Sequence, residues 1–224
     1  MFPLSDSEKS GKIPFATLLL IGINCVVFFY QMTIVDLLSF IHQFALTPNL
    51  ILPTTLFTFV TSLFLHGGFL HLAVNMWFLF IFGDNVEAKL GKVKFLFLYL
   101  LSGIAGNVLQ YAIHPSSNIP ILGASGAVSG ILGAYMILLP FAKIKTILLL
   151  LFSISIIQVP AFIYLLYWFF LQLFSGILSF PFSFQSGGVA FWAHIGGFMA
   201  GVWYVRRLGG KKDKQDFIEG ELVE

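Results

Sequence analysis

Charge is what this chain has least of. Asp, Glu, Lys and Arg make up 10% of its 224 residues, against about 25% in ordinary soluble domains. Hydrophobic residues supply 58%, Phe alone occurs 27 times, and mean hydropathy is +0.93. A soluble domain needs more polar surface than this chain can supply, so the composition points to an integral membrane protein. Cysteine is nearly absent as well. The single Cys25 excludes an internal disulfide framework and any Cys-based metal cluster. It lies in an apolar run and reads as a small packing residue. A net charge of +2, carried in short clusters, lacks the broad basic stripe of a nucleic-acid binder.

The gaps between charges carry the architecture. Segments 13–35, 37–83, 95–142 and 146–205 hold no Asp, Glu, Lys or Arg. A helical crossing needs about 20 apolar residues. Every Lys and Arg falls into one of four groups: Lys9 and Lys12; Lys89, Lys92 and Lys94; Lys143 and Lys145; and Arg206, Arg207, Lys211, Lys212 and Lys214. The positive-inside rule places each group on the cytoplasmic side. The segments between groups then cross an even number of times, which gives six helices with both termini cytoplasmic.

Breakers set the helix limits near residues 15–32, 69–82, 93–113, 125–140, 159–174 and 189–205. Pro160 is expected in the first turn of the fifth helix, where a missing N–H costs little. Segment 147–158 is apolar but lies between Lys145 and Pro160. It reads either as structure at the cytoplasmic interface or as an extension of the fifth helix. Residues 175–188 are expected as an outer loop, with Gly176, Gly187 and Gly188 as hinges. Residues 1–14 and 207–224 read as a cytoplasmic N-terminal segment and a charged, flexible cytoplasmic tail. The first hydrophobic segment is expected to be a retained anchor, since it is long and has no clear small-residue cleavage site.

Polar groups inside a bilayer are expensive and therefore informative. His66 precedes the second helix, His71 and Asn75 lie in its first two turns, Ser125 opens the fourth, and His194 lies early in the sixth. On this topology all five sit at the outer end and at similar depth. Small residues line one side of the fourth helix (Gly126, Gly130, Gly133) and of the sixth (Ala193, Gly197, Gly201). Such faces let two helices approach closely in lipid. If they meet, Ser125 and His194 come within hydrogen-bond reach, the minimum for nucleophilic catalysis. Ser125 also lies at a helix N-terminus, where free N–H groups favour developing negative charge. Asn75 and His71 can add donors to an oxyanion hole.

Taken singly, each residue has a commonplace role: a serine bonding back to its own helix, a structural histidine, an asparagine between helices. Their convergence from three parts of the sequence favours chemistry. Asp36 is the one acid expected at the outer end, and no carboxylate is placed to orient His194. A Ser–His dyad is therefore expected in place of a triad.

Three motifs now carry a resemblance. Residues 61–76 (TSLFLHGGFLHLAVNM), 123–126 (GASG) and 193–201 (AHIGGFMAG) resemble the signatures of rhomboid intramembrane serine proteases, in the right order and on the right helices. The resemblance covers residues 15–206 and implies an all-α, six-helix transmembrane bundle. It implies Ser125 as nucleophile, His194 as general base, and an oxyanion hole from Asn75, His71 and the Ser125 backbone. His66 would organise hydrogen bonds in the outer loop, Gly123 would shape the backbone before the nucleophile, and Gly126 and Gly197 would be structural neighbours of the site. The implied partners are transmembrane protein substrates, cut near the outer face of the bilayer, with no cofactor, metal or nucleic acid. The compact form suggests, by analogy, a prokaryotic plasma membrane.

The sequence also departs from the family. Phe57-Thr58 stands where many relatives carry Trp-Arg. Ser129 stands where some carry an aromatic residue stacked on the base, so His194 needs another support. Two other readings are carried: a rhomboid-like protein that binds membrane helices without cutting them, and a metal transporter using His66, His71 and His194. The presence of both Ser125 and His194 favours the enzyme over the first. The lack of a partnering carboxylate and of a His-Glu-x-x-His motif weighs against the second.

Overall fold

A computed structural model describes residues 1–8, 11, 13–150, 153–179 and 189–221. It is a helical bundle of α1 (Phe15–Gln31), α4 (Phe69–Leu90), α5 (Lys92–Ile113), α6 (Ser125–Leu138), α7 (Ala161–Ser179) and α8 (Phe191–Glu221). Between α1 and α4 lie two short helices, α2 (Leu37–Phe44) and α3 (Thr58–Thr61). α4, α5 and α7 are each long and apolar enough to cross a membrane alone. The six-helix membrane bundle expected from the charge gaps is therefore the fold.

α6 is the short central helix, and every residue from Gly126 to Met136 is buried. Its 14 residues span about 21 Å at 1.5 Å per residue, against roughly 30 Å of hydrocarbon. Its C-terminal end lies next to Lys143, so the shortfall falls at the other end.

Glycines decide how tightly α8 seats. A Cβ at Gly197 would overlap the Gly126 carbonyl oxygen, and one at Gly201 would overlap that of Gly130. On its other side, a Cβ at Gly196 would lie 3.0 Å from the Ala105 carbonyl oxygen of α5. α8 is thus wedged, backbone against backbone, between α5 and α6. The two small-residue faces read from the sequence do meet.

A small sheet closes the end that carries Lys89, Lys92, Lys143 and Lys145, here termed the basic end. β1 (Phe2–Asp6), β2 (Lys143–Leu150) and β3 (Ser153–Pro160) pair antiparallel in that order. Residues 147–150 and 153–158 are strands of this sheet, so they do not extend the fifth helix. Pro160 is the last residue of β3, not part of a helical turn, and α7 starts one residue later. The N-terminal segment is part of this sheet. Trp77 of α4 donates its indole N–H to the Pro3 carbonyl (2.8 Å), and Thr146 Oγ1 donates to Phe2 O (2.8 Å).

Two further expectations change. α7 runs on to Ser179, so Gly176 is helical and buried, and a Cβ there would lie 3.3 Å from the Trp192 ring. It is a packing position in place of a loop hinge. Gly187 and Gly188 lie outside the described residues. The backbone of α8 continues as helix to Glu221, where a flexible tail was expected beyond Arg206.

Candidate active site

The site is assembled by the loop that leads into α4 and by the start of α6. Gln31, the last residue of α1, clamps the backbone of His66. Its Nε2 donates to His66 O (2.8 Å) and its Oε1 accepts from His66 N (3.3 Å). The His66 ring is fully buried and lies edge-on to His71 with centroids 5.2 Å apart. Gln31 thus holds the loop through the His66 backbone. Burial and the neighbouring His71 push its pKa down to about 4, so it is neutral at physiological pH.

His71 faces the residues that precede Ser125. Its Nδ1 accepts from Gly67 N (3.5 Å), which leaves Nε2 to carry the proton and act as donor. Gly123 has φ 127°, a conformation side-chain-bearing residues rarely adopt. A Cβ there would also lie 2.8 Å from His71 Nε2. Only glycine satisfies both the turn and the close approach. Gly123 N donates to Ser62 O (2.9 Å), and Ser62 Oγ accepts from Asn107 Nδ2 (2.9 Å), which ties this strand of backbone to α5.

Ser125 then opens α6. No side chain caps this helix start, and its first turn has no acidic residue. The first N–H groups of an α-helix lack intrahelical partners and carry partial positive charge. Asn75 Nδ2 gives one of its two hydrogens to His71 O (2.9 Å), which directs the amide along the same face of α4 as His71. Ser129, four residues after Ser125, donates its hydroxyl back to the Ser125 carbonyl (2.6 Å).

His194 comes from the first turns of α8. Gly126 lies against the Ala193 carbonyl, 3.4 Å from where its Cβ would be. The glycine contacts one turn on hold the starts of α6 and α8 side by side. Among the described residues no hydrogen bond joins Ser125 Oγ to His194. Such bonds are often long without substrate and tighten only in the reacting complex.

Two residues at this site were missed in the sequence, and both lie on α7. Gln172 Oε1 is 2.8 Å from His194 Nδ1. Trp168, four residues earlier, stacks on the imidazole with centroids 6.1 Å apart and planes 28° from parallel. They supply the support that Ser129 does not. The signal was available: Gln172 is a lone carboxamide in an apolar helix. Asp36, by contrast, caps α2 by accepting from Ser39 N (3.1 Å), and hydrogen bonds from the Ser39 side chain and backbone lower its pKa. It takes no part in the site. In place of Trp-Arg, Thr58 is buried and donates to Thr55 O (2.7 Å), and Thr61 donates to Phe44 O (2.7 Å). Among the described residues no group of three His, Cys, Asp or Glu side chains is placed to hold a metal ion.

The Rhomboid domain family model matches residues 53–211. The chain belongs to the rhomboid family. It is similar to the rhomboid-family protein YdcA of Bacillus subtilis, with 40% identity over 37% of this chain and 41% of that protein. It is similar to Rhomboid protein 1, mitochondrial, of Saccharomyces cerevisiae, with 32% identity over 71% of this chain and 44% of that protein. Inactive rhomboid protein 1 of Drosophila melanogaster is 34% identical over 39% of this chain and 6% of its own length. The matches with this rhomboid thus span less than half the length of these relatives. The family includes a mitochondrial member and one named inactive. Membership makes this rhomboid an integral multi-pass membrane protein, but does not support the expected prokaryotic plasma membrane over an organellar one.

Proposed function

We propose that this rhomboid is an intramembrane serine endopeptidase that cuts transmembrane helices of other proteins. The observation that carries the reading is the glycine interlock of α6 and α8. It seats the uncapped helix start bearing Ser125 beside the turn bearing His194. His194 takes the Ser125 hydroxyl proton as Oγ attacks the scissile carbonyl. The same proton then goes to the departing amine, and water releases the acyl group by the reverse sequence. The oxyanion is met by the Ser125 N–H, the Asn75 amide and His71 Nε2–H.

Ser125 lies below the membrane surface, so water reaches it from the end opposite the basic one. The basic end faces the side from which the chain inserts, which is the cytoplasm in a bacterial plasma membrane. A peptide bond within a helix is masked by its own hydrogen bonding, so substrates with small, helix-weakening residues near that outer boundary are preferred. Entry is between α7 and α4. Of the helices long enough to span alone, α7 is the least enclosed, with 22% of its apolar stretch buried against 50% for α4. A crosslink between α7 and α4 suppresses cleavage of membrane substrates; unchanged turnover would place entry elsewhere.

The test is co-expression with a tagged single-span substrate, comparing wild type with Ser125→Ala. Cleavage by the wild type alone supports the reading. Equal cleavage by both removes Ser125 as the nucleophile. Cleavage by neither, across several substrates, favours a rhomboid that binds helices without cutting them, as the relative named inactive suggests.

A further inference from the structure

Gln172 is the one carboxamide in the apolar run of α7. A carboxamide without a partner in hydrocarbon costs several kcal/mol, so the residue needs a specific partner there. That partner is Nδ1 of His194, 2.8 Å away on a different helix. Trp168, at i−4 on the same face of α7, stacks on the same ring. Phe191 closes a third side, edge-on at 6.5 Å. The imidazole is therefore held in plane by α7 and fixed at one nitrogen by α7.

A neutral imidazole has one N–H and one lone pair. The oxygen of Gln172 only accepts, so the nitrogen it meets must carry the hydrogen. That leaves the lone pair on Nε2, the form required of a base that takes a serine proton. We propose that Gln172 is a positioning residue that holds His194 as the Nε2 base and ties the competence of the base to the seat of α7. This rests on the reading of Ser125 and His194 as the catalytic pair. In the step itself the Ser125 proton moves to Nε2 while Nδ1–H stays on the ring, donating to Gln172. The acceptor is neutral throughout, so it orients the imidazolium and stabilises it less than a carboxylate would. From α4, the titratable group facing the ring is His71. From α7, Gln172 and Trp168 bring no charge. From α6, the neighbour is the uncharged Ser125–Gly126 start.

The arrangement gives α7 two tasks. It is the sparsely packed helix beside which substrate enters, and it carries the groups that hold the base. Displacing α7 to admit a helix therefore releases His194, and chemistry waits until α7 reseats.

The experiment uses the purified full chain with Gln172→Leu, Gln172→Met and Gln172→Glu, and Ser125→Ala as the blank. One readout is the rate at which a small fluorophosphonate labels Ser125, which needs an activated serine and no helical substrate. The other is kcat and KM on a single-span substrate across pH. Gln172→Leu and Gln172→Met slow labelling and lower kcat by about 3- to 10-fold, the rate equivalent of one neutral hydrogen bond. KM stays within about twofold. Gln172→Glu restores an acceptor, recovers labelling, and moves the acid limb of kcat/KM to higher pH, because a carboxylate favours the imidazolium. The last shift is read on active protein even if the apolar variants fold poorly. Unchanged labelling in the apolar variants, with a change in KM alone, would make Gln172 a packing or gate residue and overturn the inference. Faster labelling would mean that the amide N–H donates to Nδ1 and holds the wrong tautomer, which also overturns it. Labelling that survives Ser125→Ala would remove the catalytic pair itself, a failure distinct from the other two.

Discussion

Both ends of this bundle bury polar groups, and they treat them differently. At the basic end the Glu87 carboxylate, 5% exposed, accepts from Ala16 N (2.9 Å), Thr17 N (2.8 Å) and Thr17 Oγ1 (2.9 Å). It caps α1 from α4 and complements the positive end of that helix. Nearby, Asp6 accepts from Tyr135 Oη (2.5 Å) and Asn85 Nδ2 (2.9 Å), joining the sheet to α4 and α6. At the other end the His66 ring meets the His71 ring edge-on, the start of α6 has no side-chain cap, and His194 meets Gln172 at one ring nitrogen. Burying polar groups costs free energy at either end. One end recovers it as stability. The other keeps donors and a lone pair available for a reaction.

The largest effect is expected at the helix contact beside Ser125. Gly197→Val drives two methyl groups into the Gly126 backbone, which cannot yield as a side chain does. The expected cost is about 3 kcal/mol or more, read as loss of folded protein and of Ser125 labelling together. Gly22→Ala is the control, because no atom lies within 4 Å of its added Cβ, and both readouts stay at wild-type level. Asn75→Ala tests the reactive end alone. It lowers kcat by roughly 100- to 1,000-fold with the melting temperature nearly unchanged; a large fall in melting temperature with intact kcat would make Asn75 structural. Glu87→Ala tests the stable end. Three donors lose a charged acceptor, at about 2–3 kcal/mol, so thermal stability falls while turnover per folded molecule persists.

The smallest effect is on pH. The unfolded chain protonates His66 near its ordinary pKa of 6.5, whereas the folded protein resists until about 4. Between those values the unfolded state binds more protons, so stability is full above pH 6.5 and declines as pH falls toward 4. His66→Gln flattens that slope in a thermal-unfolding series. An unchanged slope would mean that His66 is protonated in the folded protein.

How legible this was in the sequence follows the same division. The six crossings were readable because Lys and Arg fall into four short groups separated by long charge-free segments. The candidate site was legible because Ser125, His71, Asn75 and His194 are costly in lipid and are expected at one depth from the charge pattern. The glycine interlock was readable from four-residue spacing. The sheet was not. Residues 147–152 are a continuous apolar run, which periodicity cannot assign to strand or helix, and the pairing of β2 with residues 2–6 is set by tertiary contact. Gln172 was passed over although the same expense that flagged Asn75 applies to it. An amide in an otherwise apolar helix draws notice only when its partner is known, and His194 lies on another helix. The length of α6 was overestimated by two residues, because Leu139 and Pro140 are apolar and continue the pattern past the last helical turn.

The central claim is that the start of α6 and the early turns of α8 form one reactive pair. Reacting the purified protein with a fluorophosphonate and mapping the adduct by mass spectrometry tests it directly. A single adduct on Ser125 is expected in the wild type, lost in Ser125→Ala and slowed at least about 100-fold in His194→Ala, on the order expected when a general base is removed. An adduct on another residue, or labelling of Ser125 at an unchanged rate in His194→Ala, would contradict it.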